Sequence, residues 1–330
     1  MSNPTDSTDK TCASNENRQT LSLVLGSGGA RGLAHIGVIR WLEEHDYQIS
    51  VISGSSIGAL IGGIYAAGKL DEFEAWLTQL SKTDILALMD IAWDRSGLIK
   101  GDKLVAMLKD LIGDPDIEML PIPFTAVATD INHEKEVWLQ KGSLIEAMRA
   151  SYALPMIFTP QKYQGLTLVD GGVLNPVPIA PTFGQNTQLT LAVNLGAKAT
   201  KIKSPCSQPD ASQESEKQLT EKATKLENSD NSDDKSAQQK SEWANLVASV
   251  KTFFTREKAN LKQPFTWDVY EVSNKAFDSM QSSIARQQLA AYPPDMTINI
   301  ARDACGMLEF TRVKEMIDLG YQTAEETLGD

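Results

Sequence analysis

The chain has 330 residues, 42% of them apolar, which is enough for one large α/β domain or two smaller ones. Its net charge of −12 argues against a nucleic-acid partner, and no polybasic segment offers a route to an anionic membrane. The three scattered cysteines form no metal-binding spacing and indicate a reducing compartment. No apolar run approaches the roughly 18 residues of a membrane span. Residues 1–20 are polar, so we expect a cytoplasmic protein with a disordered N-terminal tail.

The apolar pattern alternates between strands and helices along the chain. Strands are predicted at 21–25, 49–53, 124–129, 136–139, 167–169, 189–194 and 296–300. Helices are predicted at 30–45, 57–67, 144–151, 267–289 and 310–327. This alternation favours an α/β fold, a three-layer sandwich with a mainly parallel central sheet and extra C-terminal helices.

Composition changes abruptly near residue 199. Residues 201–241 are rich in Ser, Gln, Lys, Glu and Asp, and such a stretch buries too little apolar surface to offset its ordering entropy. We interpret it as a disordered insertion, with a docking segment as the alternative. It separates a domain at 21–200 from a mainly helical extension at 242–330, which we expect to pack on the same domain.

Two glycine-rich segments stand where a predicted strand meets a predicted helix. Residues 54–58 have the G-x-S-x-G spacing, which places Ser56 on a tight turn between glycines at −2 and +2. Residues 26–32 supply backbone N–H groups at a helix N-terminus, where an anion is stabilised. A nucleophile beside an anion site indicates acyl transfer.

A serine hydroxyl needs a base to become a nucleophile at neutral pH. The histidines of this chain are His35, His45 and His133, and none lies near the C-terminus, where an α/β-hydrolase would carry its catalytic histidine. His35 and His45 share one predicted helix and are more typical of packing or surface positions. The sequence therefore argues against a histidine as the base.

Asp170 is the better candidate base, because it directly follows the predicted strand 167–169. Gly171 and Gly172 allow another element to approach it closely. The alternative for this segment is a simple Asp-Gly turn. Asp130 ends another strand and could also reach the site, although a cap or turn is the favoured interpretation. Ser55 is the less favoured nucleophile, because it lacks the flanking glycine spacing.

Together these segments resemble the bacterial patatin-like phospholipase family. That family carries G-G-G-x-[RK]-G, then G-x-S-x-G, then D-G-[GA], and these motifs fall here at 27–32, 54–58 and 170–172. A fourth stretch at 150–160 is similar to the family's A-S-x-A-x-P-x-x-F-x-P. The resemblance covers about 21–181 in the right order and extends loosely to a stand-alone bacterial subgroup. Ser27 departs from the commonest form of the first motif, which has glycine there.

The resemblance implies a serine acyl hydrolase that cleaves carboxylic esters of lipids, of phospholipase A or lysophospholipase type. It implies Ser56 as nucleophile and Asp170 as base, in a dyad without histidine. It implies that backbone N–H groups of Gly28, Gly29 and Ala30 hold the oxyanion. It also implies a lipid or acyl-ester substrate and no cofactor. No calcium-binding carboxylate loop is evident in the sequence, so we expect no metal.

Supporting roles follow from the same motifs. Arg31 would steady the glycine loop or attract a phosphate head group, and a solvated arginine at the helix N-terminus is the equally weighted alternative. The glycines that would allow close backbone approach are Gly54, Gly58, Gly171 and Gly172. An apolar stretch at 83–93 would form a lipid entrance or a core helix, and transient contact with the inner face of a membrane is compatible with a cytoplasmic protein. The oligomeric state stays open.

Two rival functions compete with this interpretation. A dinucleotide-binding oxidoreductase would use Gly26 and Gly28 as a phosphate loop, but the G-x-G-x-x-G spacing fails because Arg31 holds the third position. A catalytically weak regulatory or scaffolding member of the same family would use the polar insertion as an interaction arm. Labelling of Ser56 by a fluorophosphonate would distinguish the hydrolase from both.

Overall fold

A computed structural model of the protein describes residues 18–81, 84, 99–198 and 269–329. Its strands are β1 (Gln19–Leu25), β2 (Tyr47–Ser55), β3 (Phe124–Asp130), β4 (Lys135–Leu139), β5 (Gln161–Tyr163), β6 (Leu166–Asp170), β7 (Leu189–Ala197) and β8 (Met296–Ala301). Its helices are α1 (Ala34–Glu44), α2 (Ile57–Ala66), α3 (Leu70–Gln79), α4 (Asp102–Ile112), α5 (Leu144–Ser151), α6 (Val269–Ala291) and α7 (Val313–Leu328). Apart from residues 269–272, the described residues belong to one compact unit.

The strands form one sheet in the order β5-β6-β3-β2-β1-β7-β8, with β4 also paired to β3. The pairs along β3-β2-β1-β7-β8 are parallel, whereas β4, β5 and β6 add antiparallel pairs at one end. The predicted α/β class with a mainly parallel central sheet is confirmed. Its parallel centre places the carboxyl ends of β1 and β2 side by side, where ligand sites of such sheets form.

Both faces of the sheet are covered, as the alternation of side chains along β1 shows. Leu21, Leu23 and Leu25 join the large apolar core that includes residues of α1, α2 and α7. Val24 points to the opposite face and packs with Ala285 of α6 in a second apolar cluster. Because strand residues alternate between faces, helices cover the sheet on both sides in three layers.

The structure refines several predicted elements. β1 begins at Gln19, inside the stretch predicted as tail, and residues 1–17 lie outside the described residues. The helix predicted at 30–45 is a 3-10 turn, Gly29–Leu33, followed by α1. The polar insertion at 201–241 lies outside the described residues, as does 83–93 apart from residue 84. No helix in the described ranges is long and apolar enough to cross a bilayer.

Candidate active site

Ser56 occupies the sharp turn between β2 and α2. Its backbone has φ 57° and ψ −123°, a conformation that a residue with a side chain rarely adopts. A Cβ at Gly58 would lie 2.1 Å from the Leu25 carbonyl oxygen, and one at Gly54 would lie 2.5 Å from the Gly58 backbone. Both flanking glycines are therefore required by close backbone packing, which holds the Ser56 turn in its strained geometry.

The Ser56 hydroxyl donates a hydrogen bond to Asp170 Oδ2, with an O–O distance of 2.5 Å. Asp170 ends β6 and is fully buried, and its other carboxyl oxygen accepts the Gly172 N–H at 2.7 Å. A Cβ at Gly171 would lie 2.1 Å from the Val127 carbonyl oxygen, so only glycine fits directly after the aspartate. The two predicted side chains are thus in direct contact, and the second oxygen of the carboxylate fixes its orientation.

Burial raises the pKa of Asp170 to about 7, against the opposing effect of the hydrogen bonds from Ser56 and Gly172. A carboxyl group whose pKa lies near neutrality can exchange a proton with a hydroxyl group near pH 7. Such a strong perturbation of a carboxyl group that contacts a strained turn beside a cavity is typical of functional sites.

The glycine loop follows β1 and is fixed by hydrogen bonds on both sides of Gly28. The Ser27 N–H donates to the Pro176 carbonyl oxygen at 2.8 Å, and the Ala30 N–H donates to the Met307 carbonyl oxygen at 2.8 Å. Gly29 has φ +60°, which favours glycine. Within the described part of the chain, the N–H groups of Gly28 and Gly29 donate to no protein acceptor.

Those bonds change the predicted set of anion donors. The Ala30 N–H is already paired with Met307, so it does not fit the role that the motif implies for it. The N–H groups of Gly28 and Gly29 remain as the two candidate donors, and Gly29 lines the same cavity as Ser56. The Ala30 N–H is paired because the C-terminal segment around Met307 packs against the loop. No local sequence pattern indicates that contact.

Arg31 points away from solvent, with only 3% of its surface exposed. Its guanidinium donates to Asp278 Oδ1 at 2.6 Å, to the Arg302 carbonyl oxygen at 3.1 Å and to the Cys305 carbonyl oxygen at 3.4 Å. A side chain that is buried and engaged in this way is not available to a phosphate head group. Of the two predicted roles, the structure favours steadying the loop.

Ser151 is a functional candidate that the sequence pattern named only as a member of the fourth motif. It lies at the end of α5, and its fully buried hydroxyl accepts the Ser56 N–H at 2.9 Å while donating to the Val127 carbonyl oxygen at 2.6 Å. It therefore ties the Ser56 turn to β3. Only the motif could have indicated this residue, because its partners are 95 and 24 positions away.

The three histidines and Asp130 are engaged elsewhere. His35 is fully buried with Nε2 2.9 Å from the Gly26 carbonyl oxygen, and burial lowers its pKa to about 4, so it is neutral at pH 7. His45 Nδ1 contacts the Trp41 carbonyl oxygen. His133 contacts Asp130, which also accepts the Asn132 N–H and so closes a turn.

An apolar cavity of about 150 Å³ opens beside Ser56. Side chains from α2, α3 and α4 and from residues 152–158 and 307–310 line it, among them Leu60, Leu77, Leu104, Phe158 and Phe310. Such a concave apolar site with few polar groups is suited to an apolar ligand. In the described ranges, no three His, Cys, Asp or Glu side chains are grouped to hold a metal ion.

Comparisons with known proteins agree on one family. The model of the patatin-like phospholipase family matches residues 23–183. An NTE family protein of Mycobacterium tuberculosis is 37% identical over 331 residues, which cover 93% of this chain and 91% of that protein. Lysophospholipase NTE1 of Saccharomyces cerevisiae is 29% identical over 187 residues, which cover 54% of this chain and 11% of that protein.

Among solved structures, VipD from Legionella pneumophila aligns with a TM-score of 0.39 and 15% identity, over 94% of this chain and 67% of that chain. At that TM-score the likeness has no weight for the fold. The family model and the relative from Mycobacterium tuberculosis both support a family assignment, and they agree with the motifs and their order. This chain belongs to the patatin-like phospholipase family, a family of lipid ester hydrolases.

Proposed function

We propose that this protein is a serine acyl hydrolase that cleaves carboxylic esters of lipids through a dyad of Ser56 and Asp170. The observation that carries the proposal is the 2.5 Å hydrogen bond between these two side chains, next to an apolar cavity. The N–H groups of Gly28 and Gly29 complete the site as donors to the oxyanion. Removal of one such donor typically lowers kcat by about 10²–10³.

The first half of the reaction acylates Ser56. Its Oγ attacks the ester carbonyl carbon while its proton passes to Asp170 Oδ2, and the carbonyl electron pair moves onto oxygen as an oxyanion. The N–H groups of Gly28 and Gly29 stabilise that charge. As the tetrahedral intermediate collapses, the ester C–O bond breaks and the leaving alcohol takes the proton from Asp170.

The second half restores the enzyme. Water attacks the acyl-serine carbonyl carbon and gives a proton to Asp170, and the Ser56 oxygen then leaves and recovers that proton as the fatty acid departs. One carboxylate serves both steps because the pKa of Asp170, about 7, lies close to neutrality.

The substrate class follows from the cavity. Because its walls are apolar and it opens at Ser56, the acyl group fits there and the polar alcohol portion stays outside. The relative from Saccharomyces cerevisiae bears the name lysophospholipase, which supports a phospholipid or lysophospholipid substrate. We also propose a cytoplasmic location with peripheral contact at the membrane, where such substrates reside.

Activity assays on lysophospholipid, diacyl phospholipid and a short nitrophenyl ester test the proposal. The wild-type chain should hydrolyse acyl esters, and Ser56→Ala should lose more than 99% of kcat without losing its fold. Ser55→Ala is the matched control, because it removes a buried neighbouring hydroxyl that has no protein partner within the described part of the chain. Equal activity of the Ser56 variant and the control would refute the nucleophile assignment.

A second outcome separates the hydrolase from a regulatory member of the family. A fluorophosphonate should label the wild-type chain at Ser56 alone, and peptide mass spectrometry locates the label. A folded wild-type chain that neither hydrolyses these esters nor takes the label would favour the catalytically weak alternative.

A further inference from the structure

Helix α6 lies against the glycine loop and presents two polar side chains to it. Asp278 Oδ1 accepts a hydrogen bond from the Arg31 guanidinium at 2.6 Å, and the Gln281 side-chain amide donates one to the Ser27 hydroxyl at 3.1 Å. Residues three apart share one face of a helix, so a single face of α6 makes both contacts. Gln281 is 6% exposed, and the Asp278 side chain is 22% exposed.

Gln281 also touches the other half of the site. A Cβ at Gly172 would lie 2.2 Å from the Gln281 side-chain nitrogen and 2.5 Å from the Ser27 hydroxyl. Gln281 is therefore packed between the glycine loop and the turn that holds the Asp170 carboxylate. A change in its position would shift the loop relative to the proposed base.

Arg31 depends on Asp278 for its counter-charge. Arg31 is almost fully buried, and its other acceptors are two neutral carbonyl oxygens. Without the Asp278 carboxylate, a buried cation would lack its counter-charge, and Arg31 would have to move to regain solvation. Arg31 belongs to the 3-10 turn that begins at Gly29, so its movement would displace the candidate oxyanion donors.

We propose that Asp278 and Gln281 of α6 are positioning residues that hold the glycine loop in register with Ser56 and Asp170. This inference rests on the proposed hydrolase function. Both residues lie outside the matched family region at 23–183, so the catalytic unit extends to a helix that the family motifs do not include.

The test uses two variants of the full-length chain with matched controls. Asp278→Asn and Gln281→Ala should each lower kcat about tenfold or more while KM stays within about twofold, because misplacing catalytic groups by about 1 Å costs up to 10² in rate. Asp303→Asn and Gln287→Ala, at exposed positions of the same C-terminal part, should keep wild-type values. Thermal midpoints show that each variant is folded at the assay temperature.

A double-mutant cycle gives a result that general destabilisation would not produce. If Asp278 acts through Arg31, then Arg31→Ala combined with Asp278→Asn should lower kcat no further than Arg31→Ala alone. The inference would be overturned if the double variant lost kcat by the product of the two single losses. It would also be overturned if the folded Asp278 and Gln281 variants kept wild-type kcat. If Asp278→Asn does not fold, the Gln281→Ala result decides. A wild-type chain without esterase activity would instead refute the proposed function.

Discussion

At the scale of single residues, the environment of Asp170 determines how the proposed base behaves. The carboxyl group is fully buried, which disfavours its charge, and it retains hydrogen bonds from Ser56 and Gly172 that favour the charge. Burial is the larger effect, so the pKa is raised to about 7. The protonated form cannot accept the Ser56 proton, and activity should follow the ionisation of Asp170.

We expect kcat/KM for a soluble ester to rise with pH and to level off above an apparent pKa near 7, because burial raises the pKa of Asp170 to about 7. The measurement is a pH–rate profile from pH 5 to 9, corrected at each pH with the Ser56→Ala variant. A profile that is flat over this range would show that Asp170 does not act as the base with this pKa.

The same shift makes a prediction about stability. The unfolded carboxyl loses its proton near pH 3.8 and the folded one near pH 7, so the wild-type chain loses stability through this group as pH rises across that window. Asp170→Asn removes the ionisation. We expect the thermal midpoint of the variant minus that of the wild type to be larger at pH 8 than at pH 5. The kcat of the variant should fall to a trace.

His35 does not disturb this comparison, because both chains carry it. Its lowered pKa makes stability fall with decreasing pH between 6.5 and about 4, the opposite direction to Asp170. Taking the difference between the variant and the wild type at each pH cancels that contribution. A difference in midpoint that does not change with pH would contradict the raised pKa of Asp170.

The sequence could indicate the pair Ser56 and Asp170, because each follows a predicted strand and is flanked by glycines that a tight turn requires. It could not indicate that the Ala30 amide is paired or that Arg31 is buried. Both facts depend on the C-terminal segment, about 270 positions away in the chain. Contacts between such distant segments leave no periodic signal, so local patterns cannot predict them.

At the scale of elements, α1 and α7 cross at two glycines. A Cβ at Gly37 would lie 1.9 Å from the Ile317 carbonyl oxygen, and one at Gly320 would lie 2.0 Å from the Ala34 carbonyl oxygen. Both obstacles are backbone atoms of the partner helix, which cannot move aside as a flexible side chain can. The absence of side chains at these positions is therefore what allows the close crossing.

Gly320→Ala should lower the thermal midpoint, although alanine is the better helix former. The propensity gain is about 1 kcal/mol, whereas forcing an extra methyl into a tight contact costs about 1–3 kcal/mol and more against backbone. Gln322→Ala, at an exposed position of α7, is the control and should leave the midpoint almost unchanged. A higher midpoint for the glycine variant would mean that the helices separate at little cost.

The predicted strands agree with the sheet because β-branched and aliphatic runs bounded by glycine are clear signals. The structure adds α3, α4 and β5, which the sequence analysis did not predict. β5 has three residues, too few for alternation to show. The antiparallel pairing of β6 with β3 could not be predicted either, since the direction of a strand depends on the chain path rather than on its residues.

At the scale of the whole molecule, the part of the chain beyond the family match completes the fold. β8 pairs with β7, α7 packs on α1, and α6 covers the second face of the sheet through Ala285. Arg31 and Ala30 find their partners there as well. The first 200 residues alone would expose the β7 edge and the apolar face of α1 to solvent.

Two shortened chains should therefore behave in opposite ways. A chain ending at residue 200 should aggregate or remain unfolded, because it lacks β8, α7 and the partners of Arg31.

A chain lacking only residues 205–240 should keep its thermal midpoint within a few degrees and its nitrophenyl-ester turnover within about twofold. The reason is compositional: that polar stretch has little apolar surface to bury, and each doubling of loop length costs only about 0.6 kcal/mol. A large drop in the midpoint of the internal deletion would show that the stretch packs on the domain, whereas a soluble, cooperatively folding chain of 200 residues would show that the C-terminal elements are dispensable for the fold.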